Sequence, residues 1–130
     1  MTPAVLADTH SFLWFITEDS RLSATAREAM SPGARQVWLS VASLWEIAIK
    51  VSIRRLPLPD PFDAFIRHQL EENAINLLPI APAHTFEVSR LPFHHRDPFD
   101  RMIIAQAVRE DLPIVGADAA FDAYPVERIW

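Results

Sequence analysis

Eleven prolines divide this chain of 130 residues into segments that can and cannot form regular structure. Proline removes a backbone donor and is costly inside a helix or a central strand, so helices and strands are expected between the prolines. The longest proline-free windows are 4–31, 33–56, 62–78 and 99–112. Prolines at 57, 59 and 61 predict a stiff connector between two of these windows.

Short apolar runs alternate with segments of helical periodicity along the chain. The runs lack polar alternation, which is typical of strands buried on both faces of a sheet. Predicted strands cover 4–7, 36–39, 75–80, 112–115 and 126–129, and predicted helices cover 11–16, 22–30, 40–53, 62–73, 83–90 and 98–110. This order predicts an α/β fold in which a central parallel sheet of four to five strands carries helices on both faces.

Composition bounds the size and the chemistry of the protein. A chain of this length is expected to form one domain, residues 1–130. It contains no cysteine, which excludes disulfides, a Cys-ligated zinc site and a cysteine nucleophile. Its two glycines, Gly33 and Gly116, cannot supply a P-loop or a dinucleotide fingerprint. The formal net charge of −5 argues weakly against coating nucleic acid by bulk charge, but not against cutting it with carboxylate-bound metal ions.

The sequence predicts neither a membrane span nor a targeting segment. The longest mostly apolar stretch, 41–53, is interrupted by Glu46 and Lys50, whereas a span needs about twenty apolar residues. The opening residues lack the basic region of a signal peptide. We therefore expect no membrane association and a cytoplasmic location, with which the absence of cysteine agrees.

Two acidic residues follow predicted strands. Asp8 comes directly after the first strand, and Asp118 lies three residues after Val115, the end of the fourth. Right-handed crossovers place the loops that follow parallel strands at one edge of the sheet, where ligands of such folds bind. Both carboxylates are therefore expected at that edge, although each could instead serve only as a helix N-cap.

Three further acids lie near helix starts. Glu46 stands in a largely apolar helix, so its charge needs a metal ion or a partner, and Lys50 could supply an ion pair. Asp97 and Asp100 flank Pro98, at the start of another helix. Asp97 suits the N-cap and Asp100 suits a ligand that projects from the first turn, although the helix terminus alone could account for both.

Carboxylates gathered at one edge of a sheet have a limited range of uses. Like charges in close proximity repel unless they are protonated or neutralised by a cation. An all-oxygen ligand set suits Mg2+ or Mn2+. Such an ion can activate water and stabilise the oxygens of a displacement at phosphorus. The sequence thus favours metal-dependent phosphoryl chemistry.

Other polar and aromatic residues carry weaker signals. Hydroxyls could orient water or phosphate or could cap helices. Histidines are expected to be solvated loop residues, with contact between His94 or His95 and a substrate phosphate as the alternative. Arginines are expected to be solvated surface charges, with phosphate contact as the alternative. One more acid is expected to be a solvated surface residue, with an accessory acid of the site as the alternative. An aromatic stripe could be core or a partner surface. The hydroxyls are Thr9, Ser40 and Ser43, the histidines His10, His94 and His95, the charged residues Arg54, Arg55, Arg96, Arg101 and Asp122, and the stripe Phe12, Trp14 and Phe15.

Four segments resemble, in order, the successive motifs of PIN-domain proteins, and the similarity is greatest to VapC-like toxins of type II toxin–antitoxin systems. They are LADTH at 6–10, SLWEIAIK at 43–50, RDPFDRMIIAQA at 96–107 and IVGAD at 114–118. The resemblance runs from about residue 4 to the end of the sequence. It implies a single PIN domain, an α/β/α sandwich with an acidic Mg2+ pocket at the strand ends. It also implies an endoribonuclease that is inhibited by a cognate antitoxin and commonly forms a homodimer.

Position within these motifs implies a role for each acid. Asp8 and Asp100 would be the principal metal ligands, and Glu46 and Asp118 would complete a catalytic quartet that holds a second ion or the attacking water. The sequence departs from the family at Gly116, since a Thr or Ser often stands two residues before the fourth acid. Because the carboxylates are retained, we expect activity to survive this departure.

Two other functions stay open at this point. A catalytically inactive PIN-fold protein-binding module would keep the fold but would bind neither Mg2+ nor Mn2+. A phosphatase with Asp8 as nucleophile is disfavoured, because the haloacid-dehalogenase type usually has a second Asp where this chain has His10.

Overall fold

Five short parallel strands form one sheet in the order β3–β2–β1–β4–β5. The computed structural model describes residues 3–130. The strands are β1 (Ala4–Ala7), β2 (Gln36–Ser40), β3 (Ile75–Leu78), β4 (Ile114–Val115) and β5 (Arg128–Ile129). The predicted α/β fold with a parallel sheet is confirmed. The absence of a basic targeting region was predicted partly from Met1 and Thr2, which lie outside the described residues.

Helices connect the strands and begin or end close to the predicted positions. They are α1 (Thr9–Ile16), α2 (Ala24–Met30), α3 (Val41–Ser52), α4 (Phe62–Glu72), α5 (Pro82–Arg90) and α6 (Pro98–Glu110). Pro82 and Pro98 occupy the first turns of α5 and α6, where the missing N–H costs nothing. A short 3-10 helix, Ala119–Ala123, follows β4 and was not predicted. Within residues 3–130, no helix is both long and apolar enough to cross a membrane.

Side chains of the central strands alternate between two apolar layers, one on each face of the sheet. Val5 and Ala7 of β1 pack with α1 to α4, whereas Leu6 packs with α6 and the 3-10 helix. Val115 and Ile114 of β4 divide in the same way. The molecule is therefore the predicted three-layer α/β/α sandwich.

The aromatic stripe of α1 belongs to the core. Phe12 is fully buried, and Trp14 and Phe15 are partly buried against the same apolar layer. This resolves the two alternatives for the stripe in favour of core packing.

The chain builds outward from β1 to β3 and then returns to place β4 on the other side of β1. Hydrogen bonds from Leu6 N to Pro113 O (2.8 Å) and from Asp8 N to Val115 O (3.0 Å) fix the register of β1 and β4. In open α/β sheets the crevice at such a reversal, outside the carboxyl ends of the strands, is where ligands bind. The register brings the residues that follow β1 and β4 into this crevice.

Candidate metal centre

Asp8 links the end of β1 to the start of α1. Its Oδ1 accepts a 2.8 Å hydrogen bond from the backbone N–H of Ser11, so it caps the helix. The residue is only 5% exposed. Burial raises the pKa of the Asp8 carboxyl above its ordinary value, against the opposing effect of the Ser11 hydrogen bonds. Capping occupies one oxygen and leaves Oδ2 directed at Gly116, so the capping and ligand hypotheses are compatible.

Gly116 makes room for this carboxylate. A Cβ atom at position 116 would lie 2.8 Å from Oδ2 of Asp8 and 2.8 Å from Cε2 of Phe121. Phe121 is fully buried and cannot easily retreat. A side chain at position 116 would therefore overlap Asp8 as it is placed here.

Asp97 and Asp100 have separate positions at the start of α6. Asp97 Oδ1 accepts hydrogen bonds from the N–H groups of Phe99 (2.8 Å) and Asp100 (3.0 Å), which makes Asp97 the N-cap as predicted. Asp100 instead faces the other acids. Burial, then the charge of Asp97, with smaller contributions from Asp8 and Glu46, raise the pKa of Asp100 to about 7, while His95 opposes the shift.

Glu46 is buried on α3 with one oxygen paired and one unpaired. Its Oε2 lies 3.3 Å from Nζ of Lys50, so the ion pair considered from the sequence exists. Its Oε1 is buried and has no hydrogen-bond partner among residues 3–130. An unpaired buried carboxylate oxygen is costly, and a cation would satisfy it.

A buried hydroxyl pair ties α1 to α3 beneath the acids. Thr9 Oγ1 donates a 2.9 Å hydrogen bond to Ser43 Oγ. Thr9 follows Asp8, and Ser43 lies one turn before Glu46 on α3. Ser40 caps α3 by accepting a hydrogen bond from Ala42 N at 3.0 Å. These hydroxyls therefore hold the helices that present the acids.

Asp118 completes the group from the loop after β4. Its Oδ1 accepts a 2.9 Å hydrogen bond from Ala120 N and caps the 3-10 helix, and its side chain is 49% exposed. The charge of Asp118 contributes to the raised pKa of Asp8, and those of Asp8 and Glu46 to that of Asp100. Electrostatic interactions thus link Asp118 to Asp8, and Asp8 and Glu46 to Asp100.

His95 belongs to the same cluster, contrary to the expectation of a solvated loop histidine. Its Nε2 lies 3.0 Å from Asp118 Oδ2 and 3.1 Å from Asp100 Oδ2, and its side chain is 13% exposed. Ligand atoms from these three residues all lie within 4.8 Å of one another. The only sequence signal for this role is the position of His95 just before the helix that carries Asp100.

Arg101 is buried, so the expectation of a solvated charge or a phosphate contact is wrong. Its guanidinium donates hydrogen bonds to the carbonyls of Val88, Leu91, Pro92 and His95 at 2.9–3.3 Å. The group stabilises the loop between α5 and α6 that carries His95.

The remaining predicted surface residues lie outside the cluster. Arg54, Arg55 and Arg96 are exposed. His10 stacks on Trp14 with ring centroids 5.6 Å apart, and His94 packs edge-on against Tyr124. Asp122 pairs with Arg128 at 2.9 Å. These residues behave as surface groups with local partners.

The donor set at this edge of the sheet fits a hard divalent cation. Carboxylate oxygens predominate, one of them is buried without a partner among residues 3–130, and burial together with the charges of Asp97, Asp8 and Glu46 raises the pKa of Asp100. Mg2+ and Mn2+ prefer such oxygen-rich sites. The residues present therefore fit a metal centre of this kind.

The family model described as PIN domain matches residues 5–127. The chain belongs to the PIN-domain family, and the resemblance seen in its four motifs is confirmed. The sequence matches no curated protein at a significant level.

Solved structures with the same fold include toxin–antitoxin proteins. The VapBC2 complex of Rickettsia felis, bound to a promoter DNA fragment, superposes with a TM-score of 0.68 at 14% identity, covering 98% of this chain and 99% of that one. VapBC-5 of Mycobacterium tuberculosis gives a TM-score of 0.60 at 25% identity, covering 97% of each chain. A toxin–antitoxin complex of Klebsiella pneumoniae gives 0.63 at 16% identity, covering 93% and 92%. The chain is thus structurally similar to VapC toxins.

Proposed function

We propose that this protein is a Mg2+-dependent endoribonuclease and the toxin of a type II toxin–antitoxin module, with Asp8, Glu46, Asp100 and Asp118 as its catalytic acids. One observation carries the proposal. These acids come from four separate parts of the chain, and burial together with repulsion from Asp97, Asp8 and Glu46 raises the pKa of Asp100 to about 7. A divalent cation relieves that repulsion, which gives an otherwise unfavourable cluster a function.

Asp8 and Asp100 would hold the principal ion, and Glu46 and Asp118 would hold a second ion or the attacking water. Mg2+ or Mn2+ supplies an activated water and positive charge beside the phosphodiester when bound. The chain's contribution is to fix the acids in place. Asp8 and Asp118 are each held by a backbone N–H at one oxygen, and the Thr9–Ser43 hydrogen bond joins the helices below Asp8 and Glu46.

An aromatic pair beside the acids favours single-stranded RNA as the substrate. Trp45 precedes Glu46, is 62% exposed, and packs edge-on against Phe99 with ring centroids 5.1 Å apart. Phe99 precedes Asp100. Proteins that read single-stranded RNA stack its bases on exposed aromatic rings. An indole next to two catalytic acids would hold a base while the neighbouring phosphodiester is cut.

A cognate antitoxin and a second copy of the chain are the proposed protein partners, and the cytoplasm is the proposed site of action. The similar solved structures include toxin–antitoxin complexes. An apolar groove between α3, α4 and β3, lined by Leu44, Phe62, Ile66, Leu70 and Leu77, offers a place for an antitoxin segment. Exposed apolar side chains at Ile49 on α3 and at Ile53, its C-cap, offer a surface for a homodimer.

Replacement of the principal acids tests the proposal. Asp8→Asn and Asp100→Asn should each abolish cleavage of single-stranded RNA and relieve growth arrest on induction, with an unchanged far-UV circular dichroism spectrum. Asp63→Asn, at an exposed acid on α4, is the matched control and should cleave normally. If Asp8→Asn cuts RNA at the wild-type rate, the metal site has been assigned wrongly. If the wild-type protein neither cuts RNA nor binds Mg2+ or Mn2+, the chain is an inactive binding module instead.

A further inference from the structure

We propose that His95 is a positioning residue of the metal centre: its Nε2–H donates to the Oδ2 atoms of Asp118 and Asp100, and its ring does not itself bind the cation. This inference rests on the proposed metal-dependent function and adds a residue to it. It assigns to His95 a hydrogen-bond donor role, in contrast to the ligand role that its closeness to two acids would also allow.

The contacts of the imidazole define which nitrogen carries the proton. The backbone N–H of Asp97 donates to Nδ1 of His95 at 3.3 Å. A nitrogen that accepts a hydrogen bond presents its lone pair, so in the neutral ring the proton resides on Nε2. Nε2 is the atom that lies against Asp118 and Asp100. Direct coordination would require this nitrogen to present a lone pair, which the Asp97 hydrogen bond disfavours.

The ring is held rigidly enough to impose this geometry. It stacks on the buried Phe121 with centroids 5.9 Å apart and planes inclined by 29°. The backbone N–H of His95 donates to the hydroxyl of Tyr124 at 2.8 Å, and its carbonyl accepts from Arg101. Both ends of the residue are therefore tied to side chains that are themselves buried.

The contacts of His95 fix the orientation of both carboxylates that it touches. Asp118 is held at both oxygens, by Ala120 N at Oδ1 and by His95 at Oδ2. Asp100 meets His95 through Oδ2 only. Hydrogen bonds from neighbouring groups to ligating carboxylates fix their orientation, and loss of such partners typically lowers metal affinity or activity about 10–100-fold. Without His95, the two acids would repel each other and separate.

The tautomer is measured directly by nitrogen-15 NMR of the histidine side chains at pH 8, where an ordinary imidazole is neutral. His95 should be protonated at Nε2 in the metal-free protein and should remain so when Mg2+ saturates the site. A proton on Nδ1, or loss of the Nε2 proton when Mg2+ binds, would overturn the proposal and make His95 a ligand.

Two substitutions separate the donor role from mere filling of space. The amide nitrogen of Gln reaches about as far as Nε2, so His95→Gln should keep the Mg2+ dissociation constant within about threefold of wild type. His95→Ala should weaken Mg2+ binding about tenfold or more in isothermal titration calorimetry. Equal affinities for wild type and His95→Ala would refute the positioning role, and equal losses in both variants would show that a donor is not what matters.

The same titrations distinguish failure of this inference from failure of the proposed function. One outcome is that wild type and His95→Gln bind Mg2+ similarly and His95→Ala binds it more weakly, as expected, while none of the three proteins cuts RNA. In that case His95 positions a metal centre that does not belong to a ribonuclease. If RNA cleavage is present and depends on Asp8 while His95→Ala binds Mg2+ normally, the ribonuclease stands and the role of His95 is wrong.

Discussion

The 3.0 Å hydrogen bond between Nε2 of His95 and Oδ2 of Asp118 joins the loop before α6 to the loop after β4. Within residues 3–130, no backbone hydrogen bond of the sheet connects these two loops, since β4 pairs there with β1 and β5 only. The geometry of the acidic cluster therefore depends on side chains as well as on the sheet.

Asp100→Asn should stabilise the metal-free protein at alkaline pH. The pKa of Asp100 is raised from 3.8 to about 7 on folding, so between these values the folded chain holds a proton that the unfolded chain has released. The free energy of unfolding therefore falls as pH rises through this interval. The variant should match wild type near pH 4 and exceed it at pH 8 in urea unfolding with a chelator present. The pKa of Asp8 is also raised on folding, so Asp8 likewise makes the free energy of unfolding fall as pH rises. The Asp100→Asn variant keeps this contribution. Equal stability at pH 8 would contradict the assigned shift.

Gly116→Ala should disturb Asp8. The added Cβ would stand 2.8 Å from both Asp8 Oδ2 and Phe121 Cε2, and overpacking of this kind costs about 1–3 kcal/mol. We expect lower thermal stability together with weaker Mg2+ binding, measured by differential scanning fluorimetry and calorimetry. Gly33→Ala provides a contrast, because a Cβ there meets nothing within 4 Å and any strain comes from the backbone φ of +89°. Unchanged Mg2+ affinity in Gly116→Ala would mean that Asp8 accommodates the methyl group.

Arg101→Met should destabilise the loop between α5 and α6. Methionine fills part of the space but removes hydrogen bonds to the carbonyls of Val88, Leu91, Pro92 and His95. It also removes the stacking of the guanidinium on Phe93, 4.1 Å from the ring centroid. Buried groups left unsatisfied cost about 1–3 kcal/mol each, and water will reach some of these carbonyls, so a loss of about 2–4 kcal/mol is expected in urea unfolding. Arg109→Met, at an exposed arginine of the same helix, should change stability by less than about 0.5 kcal/mol.

Trp45→Ala should weaken RNA binding. Stacking of a base on an aromatic ring contributes about 1–3 kcal/mol, which corresponds to at least a fivefold rise in the dissociation constant of a short non-cleavable single-stranded RNA. Phe86→Ala is the matched control, because Phe86 is similarly exposed, at 59%. It lies on α5, which carries none of the four proposed catalytic acids. Equal binding by Trp45→Ala and wild type would assign the exposed indole to a protein interface instead.

Local sequence signals predicted most of the fold. Proline positions bounded the helices, and unbroken apolar runs such as Ala4–Ala7 marked buried parallel strands. The 3-10 helix after Asp118 escaped prediction because five residues carry too little periodicity to register. The order of the strands in the sheet could not be predicted either, since the return of the chain from β3 to β4 depends on long-range packing.

The candidate site was only partly accessible from the sequence. The positions of Asp8 and Asp118 after strands, and of Asp97 before Pro98, indicated where the acids would lie. His95 and Arg101 were misassigned for a physical reason. His95 lies in a loop without periodicity and contacts Asp118, which is 23 residues away in the sequence. Arg101 binds backbone carbonyls, and such contacts cannot be predicted from the pattern of side chains.

The brevity of β4 limits when the proposed enzyme can act. This strand has two residues and meets β1 through only the pairs Leu6–Ile114 and Ala7–Val115. Because Asp118 follows this strand, its place beside Asp8 depends on these two pairs. The proposed metal centre is therefore complete only in molecules in which the pairing of β1 with β4 is formed.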